Sequence, residues 1–146
     1  MDDLTRQTDQ SIEWSLFAAW LVALVSTGGA LFIGEVLGQA PCDLCWFQRA
    51  FMFPLAVVLG LAALRGDRSV RPYALALAAI GFAVAAFHTL RYFEIVPEAI
   101  RPCTASGPSC SSAGMVIAGI PIPVLSLIAF TAIAVLLSIP TKEQRS

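Results

Sequence analysis

Two cysteines separated by two residues, with an arginine four residues beyond the second, give this sequence a place to do chemistry: Pro41-Cys42-Asp43-Leu44-Cys45-Trp46-Phe47-Gln48-Arg49. A C-x-x-C pair is a redox or a metal module. Helical spacing sets Cys42, Cys45 and Arg49 on one face. A helix starting here would turn its free N–H groups and its dipole toward a thiolate at Cys45, and the guanidinium would push the same way. A structural staple is the plain alternative, but a bridge across two residues removes little chain entropy.

The other two of the four cysteines, Cys103 and Cys110, enclose six residues around Gly107-Pro108, a turn signal. Alone that pair reads as a loop disulfide. Sharing a membrane face with the first pair, it could pass electrons by thiolate attack through a mixed disulfide, and a soluble protein could reach it. His88, the single histidine, reads either as a packed core residue or as a wall of a pocket shared with Arg49. No C-x-x-C-H follows either pair, so covalent haem is not indicated.

The elements that position these residues are membrane spans. Of the 146 residues 58% are hydrophobic and 13% charged, against about 25% charged in soluble domains, and mean hydropathy is +0.78. The net charge of -1 argues against a nucleic-acid partner. Residues 14–34 carry no charge and as a helix reach roughly 31 Å, enough to cross a bilayer. A basic leader is missing from the acidic first 13 residues, so this reads as a retained span. Gly28-Gly29 within it predicts close helix packing. Further spans are expected at 46–64, with Pro54 kinking it, at 72–90 and at 121–139.

The loop at 65–72 holds Arg65, Arg68 and Arg71, and the tail holds Lys142 and Arg145, whereas the 91–120 loop has Arg101 in its middle. The positive-inside rule puts both termini and the basic loop in the cytoplasm. Loops 35–45 and 91–120, with both cysteine pairs, then face outward. Glu94, Glu98 and Arg101 interleave with Phe93, Ile95, Val96 and Ile100, a pattern that suits either a surface-lying segment or an irregular loop. The expected architecture is all-α, a single four-helix transmembrane bundle over 1–146.

Arginine inside a span costs roughly 2.5–3.5 kcal/mol at its centre and less near its end. Snorkelling to headgroups is one account of Arg49, and holding an anionic or carbonyl oxygen beside Cys45 is the other. Electrons reaching Cys42 and Cys45 need an acceptor, and a lipid-soluble quinone suits a thiolate at the membrane boundary. Trp46, Phe47, Phe51 and Phe53 are candidate walls, though aromatics also anchor at interfaces.

The stretch Pro41–Arg49 resembles the C-x-x-C-x-x-x-R signature of the DsbB family, quinone-dependent membrane thiol oxidases of bacteria. Phe87-His88-Thr89-Leu90 resembles that family's third-span motif, and Gly119-Ile120-Pro121-Ile122-Pro123-Val124-Leu125-Ser126-Leu127 the start of its fourth span. The six-residue spacing of the second pair is similar to the family's short-loop members. The resemblance implies location in the bacterial inner membrane and a partner, a DsbA-like soluble thiol oxidase with its own C-x-x-C, that attacks a Cys103–Cys110 disulfide at Cys103. Electrons would pass to Cys42–Cys45, and Cys45 would donate to a quinone (ubiquinone or menaquinone) drawn from the membrane pool. Arg49 would polarise the quinone oxygen, with His88 assigned to the same cofactor pocket. No metal site is assigned.

Three other readings compete. Vitamin K epoxide reductase-type proteins also combine a C-x-x-C with a loop pair, but their loop pair comes first in the chain. A thiol-based carrier of a soft metal would use paired thiolates and expects further cysteines along a path, where spans three and four offer none. A structural subunit with two surface disulfides leaves Arg49 unexplained.

Overall fold

A computed structural model describes residues 2–96 and 116–139, with the backbone alone for 2–13. Its main elements are α1 (Asp2–Leu31), α2 (Asp43–Arg65), α3 (Arg71–Tyr92) and α4 (Ile122–Ser138). The stretches Trp14–Val36, Asp43–Arg65 and Arg71–Tyr92 are long and apolar enough to cross a membrane, while α4 is a shorter apolar helix of 17 residues. A minimal antiparallel hairpin, β1 (Val116–Ile117) with β2 (Ile120–Pro121), leads into α4. Its turn places Ala118 and Gly119 at φ 50° and 82°, the positive angles that a tight two-residue hairpin turn demands. Sequence pattern gave no sign of these strands. Of the expected surface segment over 93–101, residues 93–96 form a turn after α3, with Glu94 at φ 58°, and residues 97–101 lie outside the described residues.

The helices form a ring in which α1 packs on α2, α2 on α3, α3 on α4 and α4 on α1. The five-residue link from Gly66 to Val70 forces α2 and α3 antiparallel. Gly66 ends α2 in the left-handed conformation, φ 64°. Asp67 then accepts bonds from the N–H and hydroxyl of Ser69 at 3.0 and 2.7 Å, which hold its carboxyl below the usual carboxylate range. At this end Nη2 of Arg71 donates to the carbonyl of Leu136 (3.3 Å) and to Oγ of Ser15 (3.4 Å), tying α3 to α4 and α1.

The core is built from small residues with a few large ones: Ala19, Ala23, Ala56, Ala74, Ala78 and Ala85 around Leu55, Leu59, Phe130 and Ile133. In a bilayer, burial of apolar surface drives little helix association, so close van der Waals contact must supply it. The glycines that allow such contact are not the expected ones. A Cβ at Gly28 or Gly29 would meet nothing within 4 Å, whereas one at Gly60 would lie 2.7 Å from Nε1 of Trp20, and one at Gly81 would collide with the ring of Phe130. Gly28 and Gly29 leave space, and Gly60 and Gly81 close it. α2 continues as one helix through Pro54.

A candidate thiol redox site beside an apolar cavity

α2 begins at the cysteine pair. Cys42 is its N-cap, with extended backbone (φ -69°, ψ 167°), and its carbonyl accepts the first helical bond from the N–H of Trp46 at 3.1 Å. One turn on, Cys45 returns to the same side, and the two Sγ atoms lie 3.1 Å apart as buried thiols. Leu44 and the ring of Phe87 close over them.

Behind Cys42 stands His88 of α3, fully buried, with Nε2 3.7 Å from the Cys42 sulfur. Its Nδ1 is 3.0 Å from Nε2 of Gln48, a buried amide one turn past Cys45. With Cys42 ionised, the Cys45 thiol donates to it and His88 supports the charge. These contacts outweigh burial and bring the Cys42 pKa down to about 5. The sequence reading placed the stabilised thiolate at Cys45, from the helix dipole and Arg49. The side-chain partners instead gather at Cys42.

Cys45 faces the other way, into a cavity of about 550 Å³ between α1, α2 and α4. Gln48 and Arg49 share its wall with Cys45, and apolar lining comes from Ile33, just past the end of α1, and from Leu125 and Phe130 of α4. Arg49 is held on three sides. Its Nη2 donates to the carbonyl of Ala30 at 2.7 Å, its Cζ lies 5.4 Å from the Trp46 ring centroid, and a Cβ at Gly34 would be 3.1 Å from Nη2. Gly34 belongs to a π-helical turn, Phe32–Val36, that continues α1. A π turn widens a helix and recurs at functional positions.

The structure thus brings Cys42, Cys45, Arg49 and His88 together and divides them between two compartments. Arg49 lines the cavity beside Cys45. His88 is not among the lining residues and reaches the cavity through Gln48. Of the four aromatic candidates for walls, Phe53 lines the cavity, Phe51 packs toward the core, and Trp46 and Phe47 are exposed on the outer surface. Cys103 and Cys110 lie outside the described residues. Gln48 is the member of this cluster missed in sequence, although its signal was present: an amide three residues past Cys45, inside an apolar span where a polar group is costly. Among the described residues, Cys42, Cys45 and His88 also form a group whose donor atoms lie within 4.8 Å of one another, close enough to hold a metal ion.

Comparison with known proteins decides the lineage. Residues 12–139 match the model of the family described as disulfide bond formation protein DsbB. The chain belongs to the DsbB family. A probable disulfide formation protein of Metapseudomonas resinovorans is 60% identical over 128 residues, covering 86% of this chain and 89% of that protein. A probable disulfide formation protein of Deinococcus radiodurans is 44% identical, covering 88% and 89%. Disulfide bond formation protein C of Bacillus subtilis is 40% identical, covering 88% and 94%. No solved structure matches the chain. As a DsbB-family member this is a bacterial membrane protein of disulfide bond formation, an oxidoreductase by class.

Proposed function

We propose that this DsbB-family protein oxidises a soluble thioredoxin-fold disulfide carrier and delivers the electrons to quinone, through Cys103–Cys110 and then Cys42–Cys45. The observation that carries the reading is the shared wall of Cys45 and Arg49 in an apolar cavity, with Cys42 directly behind Cys45.

The cavity fits a quinone headgroup in chemistry. It is mostly apolar, with a cationic donor fork at Arg49 and a sulfur at Cys45 on one side. A bound quinone supplies an acceptor for two electrons and two protons. Arg49, braced by Ala30 and Trp46, presents N–H donors to a carbonyl oxygen without having to reorganise. Cys42, held as thiolate, closes on the Cys45 sulfur as the S–S bond forms. Two electrons and the one remaining thiol proton, that of Cys45, leave on the cavity side, and the acceptor's second proton comes from water. His88 supports the charge on Cys42 before the attack, and Gln48 fixes the ring. A partner dithiol then reduces the pair again by way of Cys103, through exchange steps that conserve electrons. Three arginines in the 65–72 loop favour the orientation in which both cysteine pairs face outward and both termini face the cytoplasm.

Reoxidation of a reduced DsbA-like protein by the full chain in quinone-free vesicles tests the reading. Turnover should stop after the protein's own disulfides are spent and resume on adding ubiquinone or menaquinone. Sustained anaerobic turnover without quinone would refute it.

A further inference from the structure

Cys42, Cys45 and His88 converge from two helices on one buried point, and the redox reading does not use that convergence as a ligand set. An ion with tetrahedral bonds of the zinc kind, about 2.3 Å to sulfur and 2.0–2.1 Å to nitrogen, sets its donors roughly 3.5–3.8 Å apart. The Cys42 sulfur and His88 Nε2 already stand at 3.7 Å, and the two sulfurs, at 3.1 Å, need to open by a fraction of an ångström. All three residues are buried, so net charge selects the ion. Two thiolates and a neutral imidazole around a divalent cation sum to zero, whereas a monovalent ion would leave a buried negative charge. Two sulfurs and one nitrogen suit a d10 ion without geometric preference.

An outer partner is also in place. Ligation through Nε2 requires the proton on Nδ1 and an acceptor for it. Gln48 lies 3.0 Å from Nδ1, and a half-turn of its amide exchanges the NH2 for the oxygen. The same residue can therefore donate to Nδ1 when Nε2–H faces the Cys42 thiolate, and accept from Nδ1–H when Nε2 faces a metal.

We infer that the reduced Cys42–Cys45 pair, with His88 as third ligand and Gln48 as its outer partner, binds one divalent d10 cation of the zinc and cadmium class, which holds the pair out of the redox cycle. Binding displaces any proton the sulfurs still carry and changes no oxidation state. While ligated, neither sulfur can form the disulfide. This site goes beyond the quinone reading and does not depend on it.

The test uses the full chain with Cys103→Ser and Cys110→Ser, so that the inner thiols alone remain, reduced and free of oxygen. Titration with Cd2+ should raise a sulfur-to-cadmium ultraviolet absorption that saturates at one ion per chain. His88→Ala should weaken binding tenfold or more. Gln48→Leu should weaken it by a similar factor, and Gln48→Glu, which keeps an oxygen acceptor, should restore it. A chelator should free both thiols again. No saturation at one ion, or unchanged affinity in both His88→Ala and Gln48→Leu, would overturn the site. Because the readout is metal–thiolate absorption, a protein that binds Cd2+ but ignores quinone keeps this inference and loses the other.

Discussion

Nη2 of Arg49 donates a 2.7 Å hydrogen bond to the carbonyl of Ala30, across the α1–α2 interface. One of the five N–H donors of the guanidinium is spent on that bond, and the group stays on the cavity wall beside Cys45. The charge is positioned by backbone, so its geometry does not wait for a ligand.

Arg49→Lys keeps the charge but loses the fork that can hold Ala30 and a ligand oxygen together. A bond to a charged group contributes about 1.5–3 kcal/mol. The variant should therefore raise the KM for a soluble quinone analogue roughly tenfold to a hundredfold, with a smaller change in kcat. Steady-state kinetics at saturating partner check this.

The low pKa of Cys42 gives a pH dependence whose sign can be worked out. A thiol whose pKa falls from 9.0 to about 5 is ionised at neutral pH and loses its charge as pH drops through 5. Loss of inner-pair thiols to quinone, measured with chelator present, should hold steady from pH 7 down to about 6 and fall below 5. His88→Ala removes one of the contacts that lower the value and should move the midpoint upward. An unmoved midpoint would mean that Cys45 alone sets the charge on Cys42.

Gly81 makes room for Phe130 where α3 crosses α4. Gly81→Ala forces the ring aside, and overpacking of this kind costs about 1–3 kcal/mol. The variant should melt at a lower temperature in detergent, and adding Phe130→Leu should recover most of the loss. Gly28→Ala, at an open position of α1, should leave the melting temperature within error.

The two cysteine pairs should separate by assay. Cys103→Ser or Cys110→Ser should abolish oxidation of a DsbA-like partner and leave the inner pair reactive with quinone. Cys42→Ser or Cys45→Ser should abolish both. Parallel measurement of partner thiols and quinol distinguishes a relay from direct attack on the inner pair.

What could be read from sequence was whatever depends on spacing along one helix. Cys42, Cys45 and Arg49 share a side of α2 because three- and four-residue steps do so in any helix. The apolar helices were legible because uncharged runs of bilayer length have few other uses. Relations between helices were not legible. That Gln48 meets His88, and that His88 backs Cys42 rather than lining the cavity, depends on the rotation of α3 against α2. The choice of Gly60 and Gly81 over Gly28-Gly29 as contact points depends on where Trp20 and Phe130 arrive from other helices. The π turn at Phe32–Val36, where Gly34 lies against Arg49, likewise had no mark in the sequence pattern.

The most direct test of the central claim is a thiol count on the reduced chain carrying Cys103→Ser and Cys110→Ser, without oxygen or metal, before and after quinone is added. Two thiols should disappear for each quinol formed, and Cys45→Ser should stop the reaction. A count that does not change, or a Cys45→Ser chain that still makes quinol, would contradict the account.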